Sequence, residues 1–210
     1  MVTFFKNNYV GLTDAEANKI VSMYPQSDQF AGKGTLFSAL ANAYGELAYV
    51  CPGILFSSSV NKVNHPTWNY RYVNQFHRTM SSTSNSPPNS YNVLDPTQAA
   101  QGLGVPHTIE INAIWGPANT NGSAPASYFT TNAPIVPVIQ AYWTSFIRSF
   151  NPNTHRLAGT PAWEPFGTQQ ARLKIQTNAT AMEVVPSDQA ERCAFLNSIS
   201  VQIQVPPVNF

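Results

Sequence analysis

With 210 residues, 43% of them apolar and only 10% charged, the chain is long enough for one domain with a sizeable core and too poor in charge for a disordered segment. A formal net charge of +1, with Lys and Arg scattered, offers no basic face for phosphate, so neither nucleic acid nor an anionic lipid surface is an expected partner. No stretch approaches the roughly 18 uninterrupted apolar residues of a membrane span, and the most apolar window, Leu47 to Phe56, is broken by Pro52 and Gly53.

Met1 to Asn8 contains neither a charged leader region nor an apolar one, so no signal peptide stands in these residues. Thr13 and Glu16 have capping-box spacing, which predicts a helix to about Met23, ended by Tyr24-Pro25. From Thr35 to Val50, Leu36, Leu40, Ala43 and Leu47 form a helical stripe whose end delivers Cys51. Trp68 to Phe76 alternates as a strand, and Ser81 to Ala100, rich in Ser, Asn and Pro, reads as a long loop.

Pro134 to Phe150 predicts an amphipathic helix with Ile135, Ile139, Tyr142, Trp143, Phe146 and Phe150 along one side, stopped by Asn151-Pro152-Asn153. Trp163 to Phe166 reads as irregular chain. Strands are expected at Arg172 to Thr177 and Met182 to Val185 around a turn at Asn178-Ala179. A last helix follows from Asp188 to Asn197, then an irregular tail over 198–210. No internal repeat is visible. Few strands among so many aromatic residues suggest elements built to pack on a sheet that lies mostly elsewhere.

Two cysteines, Cys51 and Cys193, are too far apart for a redox or zinc motif. They are either separate buried thiols or a disulfide closing a loop of about 142 residues, which by loop entropy contributes up to about 5 kcal/mol. Asn121-Gly122-Ser123 and Asn178-Ala179-Thr180 are sequons, acceptors for N-glycosylation in an exported protein. Abundant Asn, Ser, Thr and Gln point the same way.

Of four histidines, His65, His77 and His155 lie in settings that suit structural or solvated side chains, and no zinc spacing joins them. No metal or cofactor is expected. His107 differs. Gly102 and Gly104 precede it, and Glu110 follows within an apolar stretch closed by Trp115-Gly116. That setting suits an imidazole displayed on a loop as a general base and anchored by a buried segment.

Gly104-x-x-His107-x-x-Glu110-Ile111 with Trp115-Gly116 resembles the catalytic-histidine block of the type-B carboxylesterases, a family that includes cholinesterases and fungal lipases. Other blocks follow the family's order. They are Tyr24-Pro25, Gly45-Glu46 to Cys51-Pro52 (Glu46 stands where the family has Asp), Tyr70 to Tyr72, Phe150 to Asn153 with Trp163, and Arg192-Cys193-Ala194-Phe195. The resemblance runs over residues 24–195 within a partial domain of 1–210. It implies the C-terminal part of an α/β-hydrolase fold: a few sheet strands, packing helices and long loops, without the central parallel strands or the nucleophile elbow. It implies His107 as triad base and acid, with Glu110 in support, a Cys51–Cys193 disulfide, and secretion of the full-length protein.

The family's G-x-S-x-G elbow, glycine-rich oxyanion loop and Asp-Glu-Gly acid motif are absent from these residues. Asp14 and Glu16 suit the capping box better than the triad. The resemblance therefore implies a serine carboxylic-ester hydrolase whose nucleophile lies in a missing N-terminal part of the same domain, acting on an ester substrate, with the isolated chain inactive. A non-catalytic cholinesterase-like interaction protein and a truncated gene-model remnant are the alternatives. Trp68, Tyr70, Trp115, Tyr142 and Trp143 are candidates for lining an acyl or leaving-group pocket, against the commoner role of core aromatics.

Overall fold

The computed structural model describes residues 1–25, 34–73, 105, 107–122 and 124–204. The expected loop at 81–100, the glycines at 102 and 104, and His77 lie outside them. The chain forms two compact units. One comprises the described residues of Met1–Asn69, Phe166–Ala171 and Val184–Phe210, the other those of Tyr70–Pro165 and Arg172–Glu183.

The first unit is helical. Helix α1 (Val2–Asn8), which the sequence reading did not foresee, buries Phe5 completely. Helix α2 (Asp14–Met23) starts on the expected capping box: Thr13 Oγ1 accepts from the Glu16 N–H, and Glu16 Oε2 accepts from the Thr13 N–H at 2.9 Å. Helix α3 (Phe37–Gly45) does not stop at Cys51. It passes through a π turn, Glu46–Val50, into α4 (Cys51–Lys62). The Cys51 N–H bonds the Glu46 carbonyl five residues back. That wider turn takes Pro52 into the first turn of α4, where its missing N–H is tolerated.

Helix α7 (Ser187–Gln204) runs past the expected end at Asn197, so 198–204 is helical rather than irregular. The reason is burial. Leu196, Ile199 and Ile203 recur at helical spacing and are 6% exposed or less, packed with Phe5, Ile20, Ala43, Ile54, Phe166 and Val185 in one core. The Cys51–Cys193 disulfide ties the start of α4 to α7 inside that core.

A three-stranded sheet of order β1-β2-β3 has β1 at Tyr70–Tyr72, β2 at Ala171–Ile175 and β3 at Ala181–Val184, and all of it but the end residues Ala171 and Val184 belongs to the second unit. Strand β1 is shorter than its alternating pattern suggested, and residues 74–76 of that pattern lie outside the described residues. It runs parallel to β2, with Tyr70 opposite Leu173 and Tyr72 opposite Ile175. Strand β3 returns antiparallel to β2: beyond the strand ends the Val185 N–H bonds the Gln170 carbonyl at 3.1 Å. Asn178 takes a left-handed φ of 59° in the connecting turn.

Helix α5 (Ile111–Trp115) is a short turn of helix, and α6 (Ile135–Ser149) is the long element of this unit. Ile135, Ile139 and Tyr142 are buried as expected, but Phe146 and Phe150 are 45% and 80% exposed. Phe150 leaves the helical path at φ 54° as a left-handed cap, and that turns its ring away from the stripe.

The segment after α6 is built by Asn153. Its side chain donates to the Trp163 carbonyl at 2.9 Å and accepts from the Trp163 N–H at 2.7 Å. That two-point clasp accounts for an Asn and a Trp ten residues apart in otherwise irregular chain. Arg172, 2% exposed, is matched by Glu183 at 2.7 Å, and Arg71 grips the same carboxylate through two bonds of 2.7 and 2.6 Å.

Candidate functional site

His107 sits on an exposed turn that feeds α5. The turn is closed by the Ile111 N–H on the Thr108 carbonyl at 3.1 Å, and the Ala113 and Ile114 N–H groups then bond the Glu110 carbonyl to start the helix. Glu110 is half-buried at the helix start, and its Oε1 accepts from the Tyr70 hydroxyl of β1 at 3.1 Å. Burial, and then the Glu110 charge, push the Tyr70 phenol above its ordinary 10.0, so it stays a donor at neutral pH.

The residue before Glu110 is held as well. Ile109 gives its carbonyl to the Tyr128 hydroxyl at 2.9 Å, and that hydroxyl lies 2.7 Å from the hydroxyl of Tyr72. Tyr70 and Tyr72 stand two apart on β1 and so share a face, while Arg71 between them is exposed. Tyr128 comes from a single turn of 3₁₀ helix, Ala126–Phe129. From sequence Tyr72 enters only as part of the strand and of the Tyr70–Tyr72 block, and Tyr128 not at all. The alternation of β1 carried a signal for Tyr72; nothing periodic marked Tyr128.

The block ends on Trp115-Gly116. Trp115 is 68% exposed, which corrects the expectation that it closes a buried segment; Ala113 is the buried residue of α5. Gly116 is required by its φ of 89°, and a Cβ there would stand 3.0 Å from Gln140 Nε2 and 3.2 Å from Asn119 Nδ2.

Three of the five candidate aromatics meet. Tyr70 lies edge-on to Trp143 at 5.1 Å, and Tyr142 edge-on to Trp163 at 5.6 Å, with Trp143 and Trp163 also 5.6 Å apart. Trp163, noted only as a family position, joins them. Trp115 is not among these ring pairs, and Trp68 belongs to the other unit. Asn121 and Asn178 are both exposed, at left-handed turn positions.

In the first unit Glu46 is the other concentrated polar centre. Its carboxylate accepts the Tyr24 hydroxyl at 2.6 Å, Gln189 Nε2 at 2.9 Å, and Arg192 Nε and Nη2 at 2.8 and 2.9 Å. Burial works to raise the Glu46 carboxyl, but the bonds from Arg192, Tyr24 and Gln189 outweigh it and hold it below its ordinary 4.5. Glu46, Cys51 and Cys193 have ligand-type atoms within 4.8 Å of one another. Both sulfurs are spent on the disulfide, so the trio has no thiolate to offer a metal.

The model of the Carboxylesterase family matches residues 2–196. A curated relative, Secreted lipase 4 of Gibberella zeae, is 25% identical over 180 residues, which cover 82% of this chain and 27% of that protein. The crystal structure of Aspergillus niger EstA superposes with a TM-score of 0.80 and 37% identity over 97% of this chain and 36% of EstA. The helices and the small mixed sheet are thus part of an α/β-hydrolase fold, and the chain spans only about a quarter to a third of these relatives. The chain belongs to the carboxylesterase family.

Proposed function

We propose that this chain contributes the triad histidine, His107, to a secreted carboxylic-ester hydrolase, and that without the rest of the domain it hydrolyses no ester. The observation that carries the reading is the setting of His107: an exposed turn directly before a half-buried Glu110, in the residue pattern of a family whose model covers 2–196. In the assembled site His107 takes the proton from a serine hydroxyl as its oxygen attacks the ester carbonyl carbon. It then returns that proton to the departing alcohol, and water repeats the cycle on the acyl-enzyme. Glu110, bonded to Tyr70, supports the turn.

The serine, the triad acid and the oxyanion donors come from a polypeptide segment outside these 210 residues, which contain no G-x-S-x-G. The rest of the hydrolase domain is therefore the expected partner. The exposed Phe146, Ile147 and Phe150 on and beside α6 fit contact with it. Secretion is supported by the name of the Gibberella relative and by the disulfide, which suits an oxidising compartment. Asn121 and Asn178, exposed, suit glycan attachment there.

The test is a chimera in which this chain replaces the matching segment of Aspergillus niger EstA, assayed on a p-nitrophenyl ester beside the chain alone. The chimera should be active, the chain alone inactive, and His107→Asn in the chimera should lower kcat at least about a thousandfold. Activity that survives His107→Asn, or hydrolysis by the isolated chain, refutes the reading.

A further inference from the structure

Thr108, the neighbour of His107, is β-branched yet holds a φ of 70°. A left-handed backbone is costly for such a residue and persists only where its surroundings over-determine it. The constraint on this turn comes from a chain of hydroxyls. Tyr128, 1% exposed, donates to the Ile109 carbonyl at 2.9 Å. With its proton committed there, its oxygen accepts from the Tyr72 hydroxyl 2.7 Å away, so the order runs from β1 through Tyr128 to the backbone two residues past His107.

Tyr128 is itself anchored. The Asn132 N–H bonds the Ser127 carbonyl at 2.7 Å, and Thr177 Oγ1 donates to Asn132 Oδ1 at 2.8 Å. The turn bearing His107 is thereby tied, through Ile109, to buried Tyr128 and the Asn132 bonds behind it. Burial and the neighbouring Tyr72 raise the Tyr128 phenol well above its ordinary 10.0, which keeps the donor protonated.

We propose that Tyr128, backed by Tyr72, is a positioning residue that fixes the strained turn and so sets where the His107 imidazole stands. The inference rests on the reading of His107 given above; the tether itself does not.

Tyr128→Phe keeps the ring and deletes only the hydroxyl. In the 210-residue chain, amide hydrogen exchange followed by NMR should show the Ile111 N–H, which closes the turn, exchanging roughly fivefold faster. Ile139 in α6 should stay within about twofold of the parent value. Tyr72→Phe, which leaves the Tyr128 bond in place but unsupported, should move Ile111 in the same direction by less.

In the EstA chimera, Tyr128→Phe should lower kcat roughly tenfold with KM unchanged, the pattern of a displaced base rather than a lost binding contact. Equal acceleration at Ile111 and Ile139 would reveal a hydroxyl that only stabilises the unit, and would overturn the proposal. Unchanged exchange at Ile111, or unchanged kcat in an active chimera, would do the same. A chimera without activity, in which Ile111 still responds, would remove the reading of His107 and leave the tether standing.

Discussion

Replacing Glu46 by Gln tests the polar centre on which α2, the π turn and α7 converge. The carboxylate takes four bonds, two on each oxygen: Gln189 and Arg192 Nη2 on Oε1, Tyr24 and Arg192 Nε on Oε2. Whichever way a Gln amide is turned, its NH₂ faces an Arg192 N–H, donor against donor. One charge-assisted bond is lost, the bond to Tyr24 or Gln189 on the same side must reverse its direction, and the other Arg192 bond loses its charged acceptor, together about 3 kcal/mol. Arg192 keeps Asp188 at 2.7 Å and is 21% exposed, which softens the loss to about 2 kcal/mol.

Urea unfolding of the oxidised chain should show this as a lower midpoint with an unchanged slope. The pH dependence has a definite sign. Glu46 is held below its ordinary 4.5, so its contribution is full above that value and is lost as pH falls through the depressed folded one. The gap between parent and Glu46→Gln should therefore be constant from pH 7 to about 5 and close below about 4. A penalty under about 0.5 kcal/mol at pH 7, or a gap unchanged at pH 3, would refute the argument.

Removing the disulfide with Cys51→Ala and Cys193→Ala together should cost up to about 5 kcal/mol, since 142 residues separate the pair; urea midpoints with and without reductant measure it. Phe150→Gly should stabilise the chain by about 1 kcal/mol, read as a higher Tm, because the ring is 80% exposed while the backbone is left-handed. Gly116→Ala should destabilise by about 1–2 kcal/mol in the same assay, from its φ of 89° and from side-chain ends 3.0 and 3.2 Å from the new Cβ.

Local sequence determines part of the fold. The capping box at Thr13, the helix of residues 135–149 and the two strands around Asn178 are each determined within a few residues by caps, periodicity or turn chemistry. The order of short blocks from Tyr24 to Phe195 identified the family and paired Cys51 with Cys193, which the residues alone had left open. His107 stood out by its block, not by its own chemistry.

Tertiary structure decided the rest. Whether Trp115 is buried, or α7 stops at Asn197, depends on which surface the neighbouring elements leave uncovered, and Leu196, Ile199 and Ile203 found a core to continue into. Pro52 reads as a helix breaker until the π turn before it supplies a bond five residues back. The partners of Glu46 lie up to 146 residues away, and Tyr128 reaches Tyr72 across 56. Hydroxyl and carboxylate pairings at such separations leave no periodic trace in a sequence, because they depend only on where folded backbones bring the atoms within about 3 Å.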